Sequence, residues 1–189
     1  MRAVDLQSGL DVAHASHADY AERVAAAARE LPPPVSLCGW SMGGLAVLQA
    51  AARVDPHSVI LLDPSPPAEV QGVDLTIPLE HGAFDPERVY GPFPTGMAPR
   101  LESSLARAER KRGISVAEIP CPSLVVFGRE FAAERGTPVA RVYGSDELAF
   151  PELDHWDLVR RPDVRGAIAA WLGLETTDDP DPTRAPQAP

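Results

Sequence analysis

The fold of this chain is decided by one short stretch, Gly39-Trp40-Ser41-Met42-Gly43-Gly44. An apolar run at residues 35–38 precedes it, and a helix-like segment at residues 45–53 follows it. A sharp turn from strand to helix holds a serine hydroxyl clear of the backbone, where it can attack a carbonyl carbon. Such a turn leaves little room for side chains two residues before and after the serine, which accounts for Gly39 and Gly43. The stretch therefore predicts a nucleophile elbow with Ser41 as the nucleophile.

The same turn predicts a site for developing negative charge. The backbone N–H of Met42 would lie at the N-terminus of the new helix, where unpaired amides attract anions. A tetrahedral intermediate formed on Ser41 carries such a charge on its oxyanion. We therefore expect Met42 to supply one oxyanion-hole donor.

Composition and charge indicate an ordinary globular domain. The 189 residues are 44% hydrophobic and 23% charged, and the net charge is −10. An acidic chain without a basic stretch argues against nucleic acids and anionic membranes as partners. No apolar run approaches a membrane span, and the N-terminus lacks the apolar segment of a secretory signal, so we expect a cytoplasmic protein. Cys38 and Cys121 should lie at opposite edges of the sheet, which makes a disulfide unfavourable.

Short apolar runs alternate with helical patterns along the chain. Strands are predicted at residues 3–6, 35–38, 59–62, 124–127 and 147–153. Ser16 and Asp19 resemble a capping box that opens the first helix, and the last helix should begin near Pro162 and end at Gly173. Continuous apolar strands separated by helices predict an α/β fold, with a mostly parallel sheet covered by helices on both faces. The acidic, Pro-rich residues 175–189 are predicted to be a disordered tail after a domain at residues 1–174.

The alternation of predicted strands and helices stops between residues 64 and 119, and we interpret this stretch as a small cap insertion. An insertion that leaves the carboxyl end of a strand just after the nucleophile is placed to cover the site. A charged helix is predicted at about residues 99–112, with Leu101, Leu105 and Ala108 facing inward. The alternative is a long surface loop whose aromatic residues cover the main core. If the insertion is a cap, an apolar substrate is expected. The expected substrate-binding residues are Trp40, Phe84, Tyr90, Phe93, Met97 and Trp156.

Position along the chain selects the general base. His155 follows the last predicted strand directly, so it should lie on a loop at the same sheet edge as Ser41. His14, His17, His57 and His81 lie near a helix start, in a far-edge turn or in the insertion, and a structural role is expected for each. No H-x-H, H-E-x-x-H or paired Cys-x-x-Cys pattern is present, so no metal site is predicted.

An acid must orient the imidazole of His155 through its second ring nitrogen. Glu130 follows the strand at residues 124–127 and is the first choice. Asp63 is the competitor, since its strand also ends beside the elbow, and Glu134 is third. A surface Glu130 paired with an arginine and a turn-capping Asp63 are the alternative roles.

The order serine, acid, histidine on alternating β/α elements resembles the α/β-hydrolase superfamily, especially its cap-bearing bacterial members. Residues 39–44 match the pattern G-x-S-M-G-G, residues 6–9 stand where relatives have a D-L-P-G-H-G-like segment, and residues 155–164 are similar to the histidine loop and final helix. The resemblance covers about residues 2–173. It implies a nucleophile at Ser41, a base at His155, an acid at Glu130 or Asp63, and an oxyanion donor at Met42.

One part of the family pattern is missing, because relatives place further strands and an H-G oxyanion loop before the segment matched by residues 6–9. In the sheet order that the resemblance implies, the absent strand lies between residues 3–6 and residues 35–38. We therefore expect these two strands to pair directly, which would bring Gln7 beside Ser41 as the second oxyanion donor.

These observations predict a serine hydrolase that cleaves an ester, thioester or lactone of a small apolar molecule. No cofactor is implied, and a small-molecule substrate is the expected partner. A cofactor-free perhydrolase or a C–C bond hydrolase would use the same residues. The non-enzymatic alternative is a silent or truncated hydrolase fold that acts as a binding module.

Overall fold

The computed structural model describes residues 1–116 and 118–174. Its strands are β1 (Ser36–Trp40), β2 (Ser58–Leu62), β3 (Ala83–Phe84), β4 (Glu102–Ser103), β5 (Ser123–Gly128) and β6 (Asp146–Phe150). Its helices are α1 (His17–Arg29), α2 (Met42–Val54), α3 (Ala68–Gln71), α4 (Pro86–Tyr90), α5 (Ser104–Arg112), α6 (Thr137–Tyr143), α7 (Asp157–Arg160) and α8 (Pro162–Trp171), with a π-helical turn at Ala132–Gly136. The strands β1, β2, β5 and β6 form one parallel sheet in the order β1-β2-β5-β6.

The central strands are buried on both sides, which explains their unbroken apolar sequences. Every residue of β2 and β5 is buried. Because successive side chains of a strand point to opposite faces, Val59 and Leu61 pack with one core cluster and Ile60 and Leu62 with the other. Helices α1 and α2 contribute to the first cluster, and α7 and α8 to the second. The predicted α/β fold, with helices on both faces of a parallel sheet, is confirmed.

The register of the sheet brings the carboxyl ends of its strands to one edge. Trp40 pairs with Leu62, Leu62 with Val126, and Val126 with Leu148. The residue after β1 is Ser41 and the residue after β2 is Asp63. Residues that follow different strands therefore meet at this edge.

Helix α1 begins as the sequence predicts. The Ser16 side chain accepts a hydrogen bond from the backbone N–H of Asp19, and the Asp19 carboxylate accepts one from the N–H of Ser16. This reciprocal capping box satisfies two amides that have no partner within the helix. Tyr20 and Val24 on its inner face are buried.

The predicted strand at residues 3–6 is wrong, and so is its predicted pairing with residues 35–38. Residues 1–5 have no regular structure, and β1 is an outer strand of the sheet in the described chain. The Asp5 carboxylate binds the guanidinium of Arg100 and the backbone N–H of Gln7, and the Asp5 carbonyl accepts from Ser8 N–H. The bonds from Asp5 to Gln7 and Ser8 favour a turn over a strand that contains only three apolar residues.

The insertion at residues 64–119 contains α3, α4, α5 and the antiparallel pair β3–β4. Its main helix begins at Ser104, later than predicted, because Ser103 caps it by accepting from the N–H of Ala106. The predicted inward stripe is also wrong at Leu101, which is 57% exposed, whereas Ala106 is buried. A cap separate from the main domain remains a proposal.

The remaining expectations about the fold meet different outcomes. The last strand ends at Phe150, earlier than the predicted residue 153, while the last helix and its stop at Gly173, with φ 68°, lie where they were expected. Cys38 and Cys121 are free thiols. The predicted tail at residues 175–189 lies outside the described residues. None of the described helices has the length and apolar character to cross a bilayer.

Candidate active site

Ser41 occupies a strained backbone position between β1 and α2. Its φ is 53° and its ψ is −123°, in a region that L-residues rarely adopt. The turn is held by the Ser41 N–H, which donates to the Leu62 carbonyl at 3.0 Å, and by the Ser41 carbonyl, which accepts from the N–H of Gly44 at 3.0 Å. The surrounding structure thus over-determines a conformation that presents the hydroxyl at the sheet edge.

Two glycines, Gly39 and Gly44, make this turn possible, and of these two only Gly39 was predicted to be required. A Cβ at Gly39 would overlap the carbonyl oxygen of Gly43, and a Cβ at Gly44 would approach Pro64 Cβ to 2.8 Å. A Cβ at Gly43 would meet nothing within 4 Å. The predicted steric need for glycine at Gly43 is therefore wrong, and the constraint falls on Gly44, where α2 passes the segment after β2.

His155 lies on the loop between β6 and α7 and reaches back to the carboxyl end of β2. Its Nδ1 lies 3.0 Å from Asp63 Oδ2, and its side chain is 13% exposed. The His155 carbonyl accepts from the indole N–H of Trp40 at 3.0 Å, and the imidazole packs on the Trp40 ring with centroids 4.5 Å apart. Trp40, directly before Ser41, thereby fixes the histidine loop against the elbow.

Asp63 has both carboxylate oxygens engaged. Oδ2 contacts His155, and Oδ1 accepts from the backbone N–H of Gly128 at 3.2 Å. The residue is fully buried and has a φ of 37°, so its backbone turns sharply at the end of β2. A buried carboxylate with two such partners is suited to orienting an imidazole and to stabilising its protonated form.

This geometry reverses the sequence-based order of the two acids. Glu130 is exposed and accepts, through Oε2, a 3.2 Å hydrogen bond from the backbone N–H of His155. Glu130 therefore binds the backbone of the histidine loop, whereas Asp63 binds the imidazole ring. Glu134 is exposed on the π-helical turn. The reason for the reversal is placement: Asp63 follows β2, the direct neighbour of β1, whereas Glu130 lies two residues past the end of β5.

The serine and the histidine meet at the same edge without a bond between them. The Ser41 side chain makes no capping hydrogen bond at the start of α2, and the His155 ring is bound to Asp63. With Nδ1 bound to Asp63, Nε2 is the ring nitrogen available to accept the serine proton. Catalytic hydrogen bonds are often long or misaligned without substrate and tighten when it binds.

The two predicted oxyanion donors, Met42 and Gln7, differ in their surroundings. Met42 is the first residue of α2, so its N–H has no partner within the helix. The backbone N–H of Gln7 donates to Asp5 Oδ1 at 3.0 Å, and the Gln7 side chain donates to the Leu101 carbonyl. Gln7 is therefore already engaged, and it does not take the predicted role of second donor in this structure.

The predicted substrate-binding aromatics divide into two groups. Trp156 packs against Trp40 and Phe93, with centroids 4.8 and 4.9 Å apart, so these three rings form a wall beside His155. Phe84 and Tyr90 contact each other edge to face and flank the Arg107 guanidinium. Met97 is 36% exposed in the loop after α4.

The remaining histidines lie away from the wall. His14 binds the Asp11 carboxylate and packs against His81, and both are exposed, as is His57. His17 has the expected structural role, since it is fully buried and binds Gln49 through Nδ1 at 2.6 Å. No group of three or more potential metal ligands occurs among the described residues.

Several residues near the site were missed by the sequence reasoning. Ser65 is buried, and its N–H donates to the Ser41 carbonyl at 2.8 Å. Phe131 packs edge-on against His155, and Arg110 donates to Ser65 Oγ. Ser65 could have been found from its position two residues after Asp63, whereas no local pattern marks Phe131 or Arg110.

Comparisons with known proteins agree with this architecture. The model of the alpha/beta hydrolase family matches residues 3–189. Among solved structures, the alpha/beta hydrolase domain-containing protein 10 from mouse aligns with a TM-score of 0.58 at 18% identity, covering 87% of this chain and 71% of that one. A lipase-esterase related protein from Clostridium acetobutylicum gives 0.52 at 15%, with coverages of 85% and 76%. The N-acyl homoserine lactonase AidH, complexed with N-butanoyl homoserine, gives 0.55 at 17%, with coverages of 86% and 72%.

No curated protein sequence matches the chain. These three solved structures are each less than 20% identical to this chain, so their likeness shows a shared fold. The family match extends over nearly the whole sequence. On that ground, this chain belongs to the alpha/beta hydrolase family.

Proposed function

We propose that this protein is a serine hydrolase that cleaves an ester, thioester or lactone through Ser41, His155 and Asp63. The observation that carries the proposal is the 3.0 Å contact between His155 Nδ1 and the buried Asp63 carboxylate, beside a serine in a strained strand-to-helix turn. A serine, a base and an acid that orients the base are the parts required for nucleophilic acyl transfer.

The proposed reaction has two halves. Ser41 Oγ attacks the carbonyl carbon while His155 Nε2 takes its proton, and the Met42 N–H donates to the oxyanion. Collapse expels the alcohol, thiol or ring oxygen, which receives that proton, and leaves an acyl-Ser41. Water activated by His155 then attacks the acyl group, the carboxylic acid departs, and Ser41 regains its proton. Asp63 stays ionised and stabilises the imidazolium in both halves.

The aromatic wall supports a substrate with an apolar portion. Trp40, Phe93 and Trp156 present adjoining rings beside His155, and apolar walls with few polar groups are typical of small-molecule sites. Solved structures of similar fold include a polyneuridine aldehyde esterase and an N-acyl homoserine lactonase. Carboxylic esters and lactones are therefore the first substrates to test.

One observation favours the alternative of a slow or silent hydrolase fold. The predicted second oxyanion donor, the Gln7 amide, is engaged by Asp5. Loss of one such donor costs about 3 kcal/mol of transition-state stabilisation, or about a hundredfold in rate. We accordingly expect turnover well below that of an enzyme with a complete oxyanion hole.

The proposal is tested by hydrolysis of p-nitrophenyl butyrate with wild type, Ser41→Ala, His155→Ala and the double variant. Because the two residues act as one unit, each single change should remove nearly all turnover and the double variant should lose little more. Ser8→Ala is a matched control, since it changes an exposed serine in the N-terminal turn. Losses that add up across the two sites would contradict a shared mechanism.

A further inference from the structure

The two tryptophans of the aromatic wall differ in how they contact the candidate base. The Trp40 ring packs on the imidazole of His155 with centroids 4.5 Å apart and planes tilted by 30°. The Trp156 ring meets the imidazole edge to face with centroids 6.1 Å apart, and it also packs against Phe93. Trp40 is therefore the tryptophan that lies closer to the reacting histidine.

Trp40 also binds the backbone of the histidine loop. Its indole N–H donates to the His155 carbonyl at 3.0 Å, and Glu130 Oε2 accepts from the His155 N–H at 3.2 Å. The amide and the carbonyl of the base are thus both bound. The Trp40 bond is partly buried and the Glu130 bond is exposed, and a hydrogen bond shielded from water is the stronger kind. We therefore expect Trp40 to hold the loop more firmly than Glu130 does.

The imidazole ring has close neighbours besides its acid. Asp63 Oδ2 lies 3.0 Å from Nδ1, Trp40 packs on the ring, and Phe131 meets it edge to face with centroids 5.1 Å apart. A bond at Nδ1 alone would let the ring rotate or shift with its loop, whereas the aromatic contacts restrict both movements. The direction of Nε2 is thereby fixed, and a misplacement of about 1 Å in a catalytic group can cost about a hundredfold in rate.

Trp40 is itself anchored on the strand that carries the nucleophile. It is the last residue of β1, pairs with Leu62 in the parallel sheet, and packs against the core cluster to which α7 and α8 contribute. Ser41 is the next residue in the chain. Groups held on strands are positioned more precisely than groups held on loops. Through Trp40, a base that lies on a loop therefore takes its position from the strand that ends at Ser41.

The stacked ring gains importance during the proposed reaction. His155 becomes an imidazolium when it takes the serine proton, and the face of a tryptophan attracts a cation more strongly than the face of any other aromatic side chain. The contact between the two rings is thus stronger in the transition state than in the substrate complex. Interactions of this kind raise kcat, whereas contacts that are equal in both states act on KM.

We propose that Trp40 is a positioning residue for the general base, which it holds by the bond to the His155 carbonyl and by the stacking of its ring. Trp156 and Phe93 then form the part of the wall that contacts the apolar portion of the substrate. This role for Trp40 differs from the substrate-binding role that the sequence predicts. The inference rests on the proposed function for its effect on turnover, although the position of the imidazole is measurable without turnover.

Kinetics with p-nitrophenyl butyrate separate the two roles. We expect Trp40→Leu, which removes both contacts, to lower kcat by about 10- to 100-fold and to change KM less than about threefold. Trp40→Phe keeps an aromatic ring but lacks the indole N–H, so kcat should fall by about 3- to 10-fold. Trp156→Leu is the matched control, because it makes the same change in the same wall and should act mainly on KM. Equal losses of kcat in Trp40→Leu and Trp156→Leu, or a rise in KM without a loss of kcat in Trp40→Leu, would overturn the proposal.

Proton NMR measures the position of the ring without turnover. The Nδ1–H of His155, bound to Asp63, should give a low-field resonance in the wild type that is assigned by its loss in His155→Ala. We expect Trp40→Phe and Trp156→Leu to retain this resonance and Trp40→Leu to broaden it, because a freer ring exchanges its proton with water. An unchanged resonance in a folded Trp40→Leu would overturn the proposal. If circular dichroism shows that Trp40→Leu does not fold, the loss of kcat at constant KM in Trp40→Phe decides instead.

The two proposals fail in different ways. A resonance that is lost in Trp40→Leu and kept in Trp156→Leu, in a protein that cleaves no ester, would contradict the hydrolase and leave the positioning role standing. Ester cleavage in which both tryptophan substitutions act on KM alone would contradict the positioning role and leave the hydrolase standing.

Discussion

In the proposed mechanism, Asp63 is the residue on which the chemistry depends most closely after the serine itself. It is fully buried, and its two oxygens contact His155 Nδ1 and the Gly128 N–H. An amide in its place would keep the shape and one acceptor but would favour the wrong tautomer of the imidazole. In the proposed mechanism, Asp63 acts by orientation and charge, without accepting the serine proton.

Substitution of the two candidate acids separates their roles. We expect Asp63→Asn to lower kcat by about 10²- to 10⁴-fold with the fold retained. Glu130→Gln keeps an acceptor for the His155 N–H and should change kcat only a few-fold. Steady-state kinetics on one ester, with circular dichroism as the folding control, decides between them. A larger loss of kcat for Glu130→Gln than for Asp63→Asn would identify Glu130 as the acid.

Sequence reasoning identified both candidate acids but ranked Glu130 before Asp63, which is the reverse of the order that the geometry favours. Ser41 and His155 were predicted because each follows a strand at the same edge, and strands can be inferred from an apolar pattern. Asp63 and Glu130 also satisfy that rule. The choice between them depends on the sharp backbone turn at Asp63, φ 37°, and on the Gly128 N–H, neither of which leaves a local sequence signal.

Among the secondary-structure elements, α1 joins the insertion to the elbow helix through its first residue. The His17 N–H donates to Glu109 on α5 at 2.7 Å, and the His17 ring binds Gln49 on α2 at 2.6 Å. The side chain is fully buried, and burial lowers its pKa to about 4. The histidine is therefore neutral in the folded protein near neutral pH.

The lowered pKa of His17 gives a prediction for stability against pH. Below the unfolded pKa of about 6.5 the unfolded chain binds a proton that the native state does not, so the free energy of unfolding should fall from there down to about pH 4. The loss assigned to His17 is about 3 kcal/mol at most. Urea unfolding of the wild type and of His17→Gln at pH 7 and pH 4.5 measures this loss. Other groups titrate in both proteins, so the difference between their pH dependences isolates the contribution of His17. An equal pH dependence in the two would contradict the assignment.

Elements with a strong apolar pattern were predicted well, and elements set by polar bonds to distant parts of the chain were not. The strands β2 and β5 are unbroken apolar runs and were found nearly to the residue. The predicted strand at residues 3–6 fails because Asp5 binds Arg100, 95 positions away in sequence, and forms a turn with Gln7 and Ser8. The start of α5 was missed because it is fixed by Ser103, whose hydroxyl donates to the carbonyl of Ala15, outside the insertion.

Across the whole molecule, the strands of the main sheet differ in how many neighbouring strands they pair with, and we expect the fold to open most easily at the outer strands. Strands β2 and β5 each pair on both sides and are wholly buried, whereas β1 and β6 are the outer strands of the sheet as described. Beside β1 lies a cavity of about 280 Å³ between the strand, α1 and residues 2–6. The elbow is attached to this less supported strand.

Hydrogen exchange should reveal this gradient. Amides of β2 and β5 should exchange only by global unfolding, whereas peptides that cover β1 should exchange sooner through local opening. Mass spectrometry of peptic fragments gives the comparison directly, with the exposed N-terminal residues as the fast reference. Protection of β1 equal to that of β2 would show that this edge is supported as firmly as the centre of the sheet.

The central claim is that Ser41 is an activated nucleophile. Its most direct test is reaction with a fluorophosphonate probe, followed by mass spectrometry to locate the adduct. The account requires a single phosphonyl group on Ser41, no labelling of Ser41→Ala, and strongly slowed labelling of His155→Ala, because the base activates the serine. A wild-type protein that stays unlabelled while folded, or that is labelled at another residue, would contradict it.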